Sequence, residues 1–136
     1  MNLESLAAVI AFIQPFQLDS VVDALRRLPG FPGMSVTEVR GFGRHGAHPP
    51  HAGELAEVAP LEQKVRLEIY CLGGEATSIL QTIRSAAHTG HQGDGKVFVI
   101  DVAWAMRIRT GEFGPAALDG NGQRVDPGES EPHDEG

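Results

Sequence analysis

Thr89-Gly-His-Gln-Gly-Asp-Gly-Lys-Val-Phe-Val99 is a glycine-rich turn that runs directly into an apolar strand. Gly90, Gly93 and Gly95 lie in the turn and Lys96 stands at its exit. Arg107-Ile-Arg-Thr-Gly111 follows beyond the apolar run. Glycine lets backbone N–H groups approach a ligand with no Cβ in the way. Successive free N–H groups form an anion nest, and Lys and Arg add mobile positive charge. The stretch therefore carries the equipment for holding a polyphosphate. It also separates a helical pattern from a strand, which sets the architecture around it.

Upstream of the turn, Ala76, Ile79, Leu80, Ile83, Ala86 and Ala87 recur at spacings of mostly three and four, which predicts a helix. Before that, Val65, Leu67, Ile69 and Cys71 alternate with Lys64, Arg66, Glu68 and Tyr70, the pattern of a half-buried strand. Downstream, a strand is expected from Val97 to about Arg107. The N-terminal half repeats the order. Leu6–Ile13 is a short apolar run bounded by Pro15 and reads as a buried strand. Leu18, Val21, Val22, Leu25 and Leu28 form one apolar helix stripe, stopped by Pro29-Gly30. Pro32-Gly33 opens another strand, Met34 to about Phe42. Two strand–helix–strand halves predict an α+β, ferredoxin-like double βαβ sandwich with both helices on one face of the sheet. No remaining segment is free to cover the other face. Oligomerisation through that face is expected, because large apolar patches are rare on monomers.

Between the halves, residues 43–62 lack both helical and strand periods. Three prolines and three glycines mark a long exposed loop, a length that is usually functional in a compact domain. Residues 112–136 carry seven acids and one base. Their Gly, Pro, Asp and Glu content predicts a mostly disordered acidic tail, apart from Phe113 to Leu118 near the body.

The whole-chain net charge of −7 therefore comes almost entirely from the tail. Residues 1–111 hold eleven acids and ten bases. Their cations can serve a local site but make no nucleic-acid-binding surface. No apolar run approaches the roughly 20 residues a membrane helix needs, and no secretory signal is visible. Cys71 is the lone cysteine, so no intramolecular disulfide forms; this fits the cytoplasm.

Several segments resemble the PII family of signal-transduction proteins, in the family's order. The glycine turn, Thr89-x-x-x-Gly93-Asp-Gly-Lys-Val-Phe-Val99, looks like its signature. Gln14-Pro-Phe-Gln-Leu-Asp19, Gly33-Met-Ser-Val-Thr-Glu-Val-Arg-Gly-Phe-Gly-Arg44, Lys64-Val-Arg-Leu-Glu-Ile69 and Arg107-Ile-Arg-Thr-Gly-Glu112 match as well. Coverage runs from about residue 5 to about residue 118. The resemblance implies a cytoplasmic homotrimer with adenine nucleotides bound in clefts between subunits. It names the loop at about 43–62 the T-loop, which docks on a regulated enzyme or transporter. The segment at about 88–96 becomes the B-loop and that at about 107–118 the C-loop. The domain would span 1–111, with a flexible acidic tail at 119–136.

By position, the resemblance assigns phosphate contacts to Gly93, Asp94, Gly95 and Lys96. It assigns Arg107 and Arg109 to phosphates across the subunit boundary, and Arg44 to the terminal phosphate. Phe12, Gly33, Ser35, Glu68 and Tyr70 would line the nucleoside. ATP, ADP or AMP would be the effectors, with Mg²⁺ alongside. Arg44, His45 and Lys64 would form a small-anion site.

The chain departs from the family pattern in the loop. No Tyr or Ser lies in residues 43–62, and Glu57 stands where members carry the uridylylated Tyr. Control by uridylylation is not expected. His45 stands where members carry the Gln that helps bind Mg²⁺ and 2-oxoglutarate. An imidazole does not copy an amide carbonyl–metal contact. Classical 2-oxoglutarate sensing is thus questioned, and other anions such as bicarbonate come into view, as in atypical branches of the family. His45, His48 and His51 could take Zn²⁺, Ni²⁺ or Cu²⁺ as a metal-responsive alternative. A flexible, proline-rich loop without Cys or Asp favours a solvated polar segment instead, and no metal site is assigned. No Ser-centred elbow or metal-protease motif is present. A slow ATPase is the enzymatic alternative, and a sensor without catalysis is the reading preferred.

Overall fold

The computed structural model describes residues 5–43 and 61–119. The elements run β1 (Leu6–Ile13), α1 (Leu18–Arg26), β2 (Ser35–Gly41), β3 (Glu62–Leu72), α2 (Ala76–Ala87), β4 (Gly95–Val102) and α3 (Ala116–Asp119). Arg44, His45, most of the predicted 43–62 loop and the tail beyond Asp119 lie outside the described residues.

The four strands form one antiparallel sheet in the order β2-β3-β1-β4. That order and the chain's β-α-β-β-α-β connectivity are the expected α+β arrangement. β1 is central, which explains why it reads as a continuous apolar run: seven of its eight residues are buried. β3 pairs on both edges, yet it keeps the alternation seen in sequence. Val65, Leu67, Ile69 and Cys71 are buried while Tyr70 is exposed.

The helices cover one face. Val21 and Leu25 of α1 and Ile79 and Ile83 of α2 pack with Val9, Ala11, Leu67 and Ile69 of the sheet in a single buried cluster. Burial of such side chains stabilises by about 1.5–3 kcal/mol each. A 3-10 turn at Pro15–Gln17 leads into α1. The N–H of Leu72 donates to the Glu75 carboxylate at 2.9 Å, which fixes the entry to α2.

Two boundaries differ from the sequence reading. β3 begins at Glu62, because Glu62 and Gln63 still pair with Gly41 and Arg40; their polarity hides this edge extension. β4 stops at Val102, well short of Arg107. Leu6↔Val102 is the last rung that β1 offers, so the chain turns and pairs with itself. Arg107 N–H donates to the Glu112 carbonyl at 2.7 Å, Gly111 N–H to the Arg107 carbonyl at 2.8 Å, and Gly114 N–H to the Ala105 carbonyl at 2.9 Å. Met106 and Phe113 form a bridge across this hairpin.

The helix-free face carries Phe98, Ile100 and Tyr70, each about half exposed. The expectation that no segment could reach this face needs one correction. Trp104 and Leu118 fold back over its far end and, with Leu6, Tyr70 and Val102, line an apolar cavity of about 310 Å³. The middle of the face stays open.

Candidate functional site

The glycine turn is built around Asp94. Its carboxylate accepts the N–H groups of Thr89 at 2.8 Å and Gly90 at 3.0 Å, and the Thr89 hydroxyl. The Thr89 hydroxyl, then its N–H, holds the Asp94 carboxyl below its ordinary range. Asp94 thus spends its oxygens on the turn itself.

The glycines serve different ends. Gly93 has φ +93°, and a Cβ there would meet only the flexible end of Gln14, at 3.0 Å, and Lys64. Gly95 has φ +117°, and a Cβ there would lie 1.8 Å from the Phe12 carbonyl oxygen. Close approach at Gly95 is therefore made by β1, not reserved for a ligand.

The Gly93 carbonyl accepts from Gln14 Nε2 at 2.7 Å and from Lys64 Nζ at 3.0 Å. Lys64 Nζ also lies 3.7 Å from the Glu62 carboxylate. The ends of β1 and β3 thereby grip the turn. Gln14 was not among the sequence candidates. It opens the segment Gln14-Pro-Phe-Gln-Leu-Asp19 at the end of β1, but a Gln there announces no chemistry by itself.

Lys96 is exposed and sits opposite Phe12 in the β1–β4 register. Phe12, Lys64, Gly93, Asp94, Gly95 and Lys96 therefore gather at one end of the sheet. Arg66, also unpredicted, lies over the Phe12 ring at 5.7 Å and pairs with Glu68 at 2.9 Å. Phe12 in turn meets Phe98 edge-on at 6.3 Å. Ser35 pairs with Glu68 across β2 and β3. Ser35, Glu68 and Phe12 thus share the open face. Gly33 lies just before β2 and is exposed, with φ +108°.

Tyr70 belongs to the same face but farther along. It pairs with Ala8, whereas Arg66 pairs with Phe12, a separation of roughly 13 Å along the strand. Its neighbours at the apolar cavity are Leu6, Trp104 and Leu118.

Arg107 and Arg109 stand beyond the opposite end of β4. Lys96 and Val102 alone are roughly 20 Å apart at about 3.3 Å per residue, and the arginines follow Val102. Arg107 Nε donates to the Ala117 carbonyl at 3.2 Å, and its Nη1 lies 3.9 Å from the Glu112 carboxylate. Arg109 is exposed beside Ile108, which is 93% exposed. One chain therefore does not bring its turn cations and its hairpin cations together.

The other side chains able to react or bind a metal sort simply. Cys71 is buried, and burial, then the Glu75 charge, pushes its thiol up to about 11. It is an inert core residue. His88 and His91 are exposed, with His91 Nδ1 3.2 Å from the Thr89 hydroxyl oxygen. Among the described residues no group of three or more His, Cys, Asp or Glu side chains could hold a metal. Trp104 is half-buried and packs on Phe113, ring centres 6.4 Å apart. Chemically, the turn end offers fixed backbone geometry and ammonium groups for an anion, and the hairpin offers guanidinium forks for another, or for the same one in a neighbouring copy.

A family model described as "Nitrogen regulatory protein P-II" matches residues 6–112. The P-II protein of Rhizobium meliloti is 42% identical over 108 residues, 79% of this chain and 96% of its own length. P-II 1 of Escherichia coli K12 is 44% identical with the same coverage. Among solved structures, Arabidopsis thaliana PII bound to citrate superposes with a TM-score of 0.68 at 32% identity, covering 84% of this chain and 92% of its own. Among the described residues no helix is long and apolar enough to cross a membrane.

Proposed function

The chain belongs to the nitrogen regulatory protein P-II family, and on that premise we propose that it is a homotrimeric, cytoplasmic sensor of adenine nucleotides. One observation carries this reading. The cations able to hold phosphates are split between two ends of a strand, so a full set exists only where two copies meet. A nucleoside triphosphate brings about three to four negative charges, and charge-assisted hydrogen bonds contribute about 1.5–3 kcal/mol each. The turn of one subunit, with Gly93, Gly95 and Lys96, and the hairpin of the next, with Arg107 and Arg109, complete one cleft. Phe12, Gly33, Ser35 and Glu68 form the nucleoside wall, Tyr70 joins it from the hairpin end of the sheet, and Arg44 approaches the terminal phosphate. The half-exposed Phe98, Ile100 and Tyr70 supply the apolar face that trimerisation buries.

Adenine nucleotides are the effectors, with Mg²⁺ accompanying ATP. A small anion, bicarbonate or 2-oxoglutarate, binds at Arg44, His45 and Lys64. Lys64 already touches the Gly93 carbonyl, so an anion taken there acts on the same turn that holds the nucleotide. The loop at 43–62 reports the result to an enzyme or transporter. Such coupling requires the partner to prefer one liganded state. The protein binds without turning its ligand over.

Calorimetry with ATP, ADP and AMP, each with and without Mg²⁺, bicarbonate and 2-oxoglutarate, tests the reading, with light scattering for the mass. A trimer that binds a nucleotide in the micromolar range or tighter is expected. A monomer, or no heat with any nucleotide, sinks it. Phosphate release well above background would mark the slow ATPase instead.

A further inference from the structure

Thr110 and Glu112 are the two buried polar side chains among the described residues, 2% and 5% exposed. A carboxylate removed from water is costly unless it is paired and hydrogen-bonded. The Glu112 carboxylate accepts the Thr110 hydroxyl at 2.9 Å, and the Thr110 hydroxyl oxygen accepts the Glu112 N–H at 3.2 Å. The cation facing this carboxylate is Arg107, whose Nη1 is 3.9 Å away. On its other side the Arg107 Nε is tied to the Ala117 carbonyl. The guanidinium is thus hydrogen-bonded on one side and faces a buried carboxylate on the other, while about a third of the side chain remains exposed.

Arg109 differs in every respect. It sits in the exposed turn of the same hairpin, beside the 93%-exposed Ile108, whereas Arg107 stands at the hairpin's root, where the backbone of Glu112 and Gly111 closes on it. A guanidinium fork recognises phosphate by geometry as well as charge, and a fork already held loses less freedom on binding.

We propose that Glu112 is a positioning residue: with the Ala117 carbonyl it aims Arg107 at the phosphate chain, and Thr110 holds the carboxylate in place. Arg107 is then the pre-set fork of the hairpin, and Arg109 the charge that closes on the ligand afterwards. This rests on the nucleotide reading above, but the clamp itself is a property of the free chain.

The test is a double-mutant cycle in the full-length protein, read by titration with ATP and with inorganic triphosphate. Glu112→Gln keeps the shape and the acceptor for Thr110 but removes the charge that faces Arg107. It should weaken binding about tenfold, within the range for neighbours in one network. The loss should persist with Arg109→Gln and shrink below about twofold with Arg107→Gln. A merely structural role for Glu112 predicts the same loss in all three backgrounds, and that result overturns the proposal, as does unchanged affinity in Glu112→Gln. Urea unfolding of the Glu112→Gln and Arg107→Gln single and double variants needs no ligand. Non-additive stabilities there support the clamp, and strict additivity refutes it. If the wild-type chain bound neither ATP nor triphosphate, the nucleotide reading would fall, and unfolding would still judge the clamp.

Discussion

The two ends of β4 are each organised by a threonine and a carboxylate, used in opposite ways. At the entry, Asp94 accepts the hydroxyl and N–H of Thr89 together with the N–H of Gly90. At the exit, Glu112 accepts the hydroxyl of Thr110 and faces Arg107. The first carboxylate is half-buried and shapes backbone; the second is buried and faces a side-chain cation. The entry contributes a fixed loop geometry, while the exit contributes an aimed charge. A single chain does not offer both to one ligand.

The severest way to break the contrast is at Gly95. A Cβ there would strike the Phe12 carbonyl in a backbone region that other residues adopt at about 1–3 kcal/mol. Gly95→Ala should therefore cost at least about 2 kcal/mol in urea unfolding and disorder the entry turn. Native stability in that variant would show that β1 does not define the turn.

Removing charge should spare the fold. Lys96→Ala and Arg109→Ala should each weaken ATP binding roughly ten- to a hundredfold, the worth of a charge-assisted hydrogen bond. The proposed trimer should persist by light scattering. Survival of binding in both variants would make the two-ended cleft wrong.

Acid should separate the ends more gently. The Asp94 pKa is lowered in the folded chain, so its contribution is complete above the ordinary aspartate value of about 4. It fades only as pH falls through the lowered folded value. Protection of the Thr89 and Gly90 amides against hydrogen exchange should be insensitive to this group down to about pH 5. In Asp94→Asn the same amides should lose protection already at neutral pH. The smallest change expected is with Gln14→Ala, about a twofold loss of ATP affinity, because Lys64 still holds the Gly93 carbonyl. A tenfold loss there would move the centre of the site toward Gln14.

Much of the fold was legible because periodicity survived tertiary packing. β1 reads as continuous because it runs through the middle of the sheet with seven of its eight residues buried, and β3 alternates because its residues facing away from the helices are less buried. The ends of strands were less legible. Glu62 and Gln63 are polar yet paired, and the apolar residues after Val102 suggested a strand that β1 is too short to support. Of the candidate site, Lys96 and the glycines stood out in the sequence, because residue type alone marks a tight turn and a cation beside it. The site was opaque at Gln14, Arg66 and Glu112. Those three take their meaning from register and burial, neither of which a linear pattern displays.

The hairpin also carries the chain's single tryptophan. Trp104 is packed on Phe113, and its indole N–H is buried without a hydrogen-bond partner among the described residues. Its emission therefore reports on one place only, a few residues from Arg107. Opening of the hairpin would let water reach the indole and shift its fluorescence to the red, whereas motion confined to the glycine turn would leave the spectrum still. The molecule is thus wired with an intrinsic optical gauge for one end of β4, and events at that end can be timed in a stopped-flow instrument with no label attached.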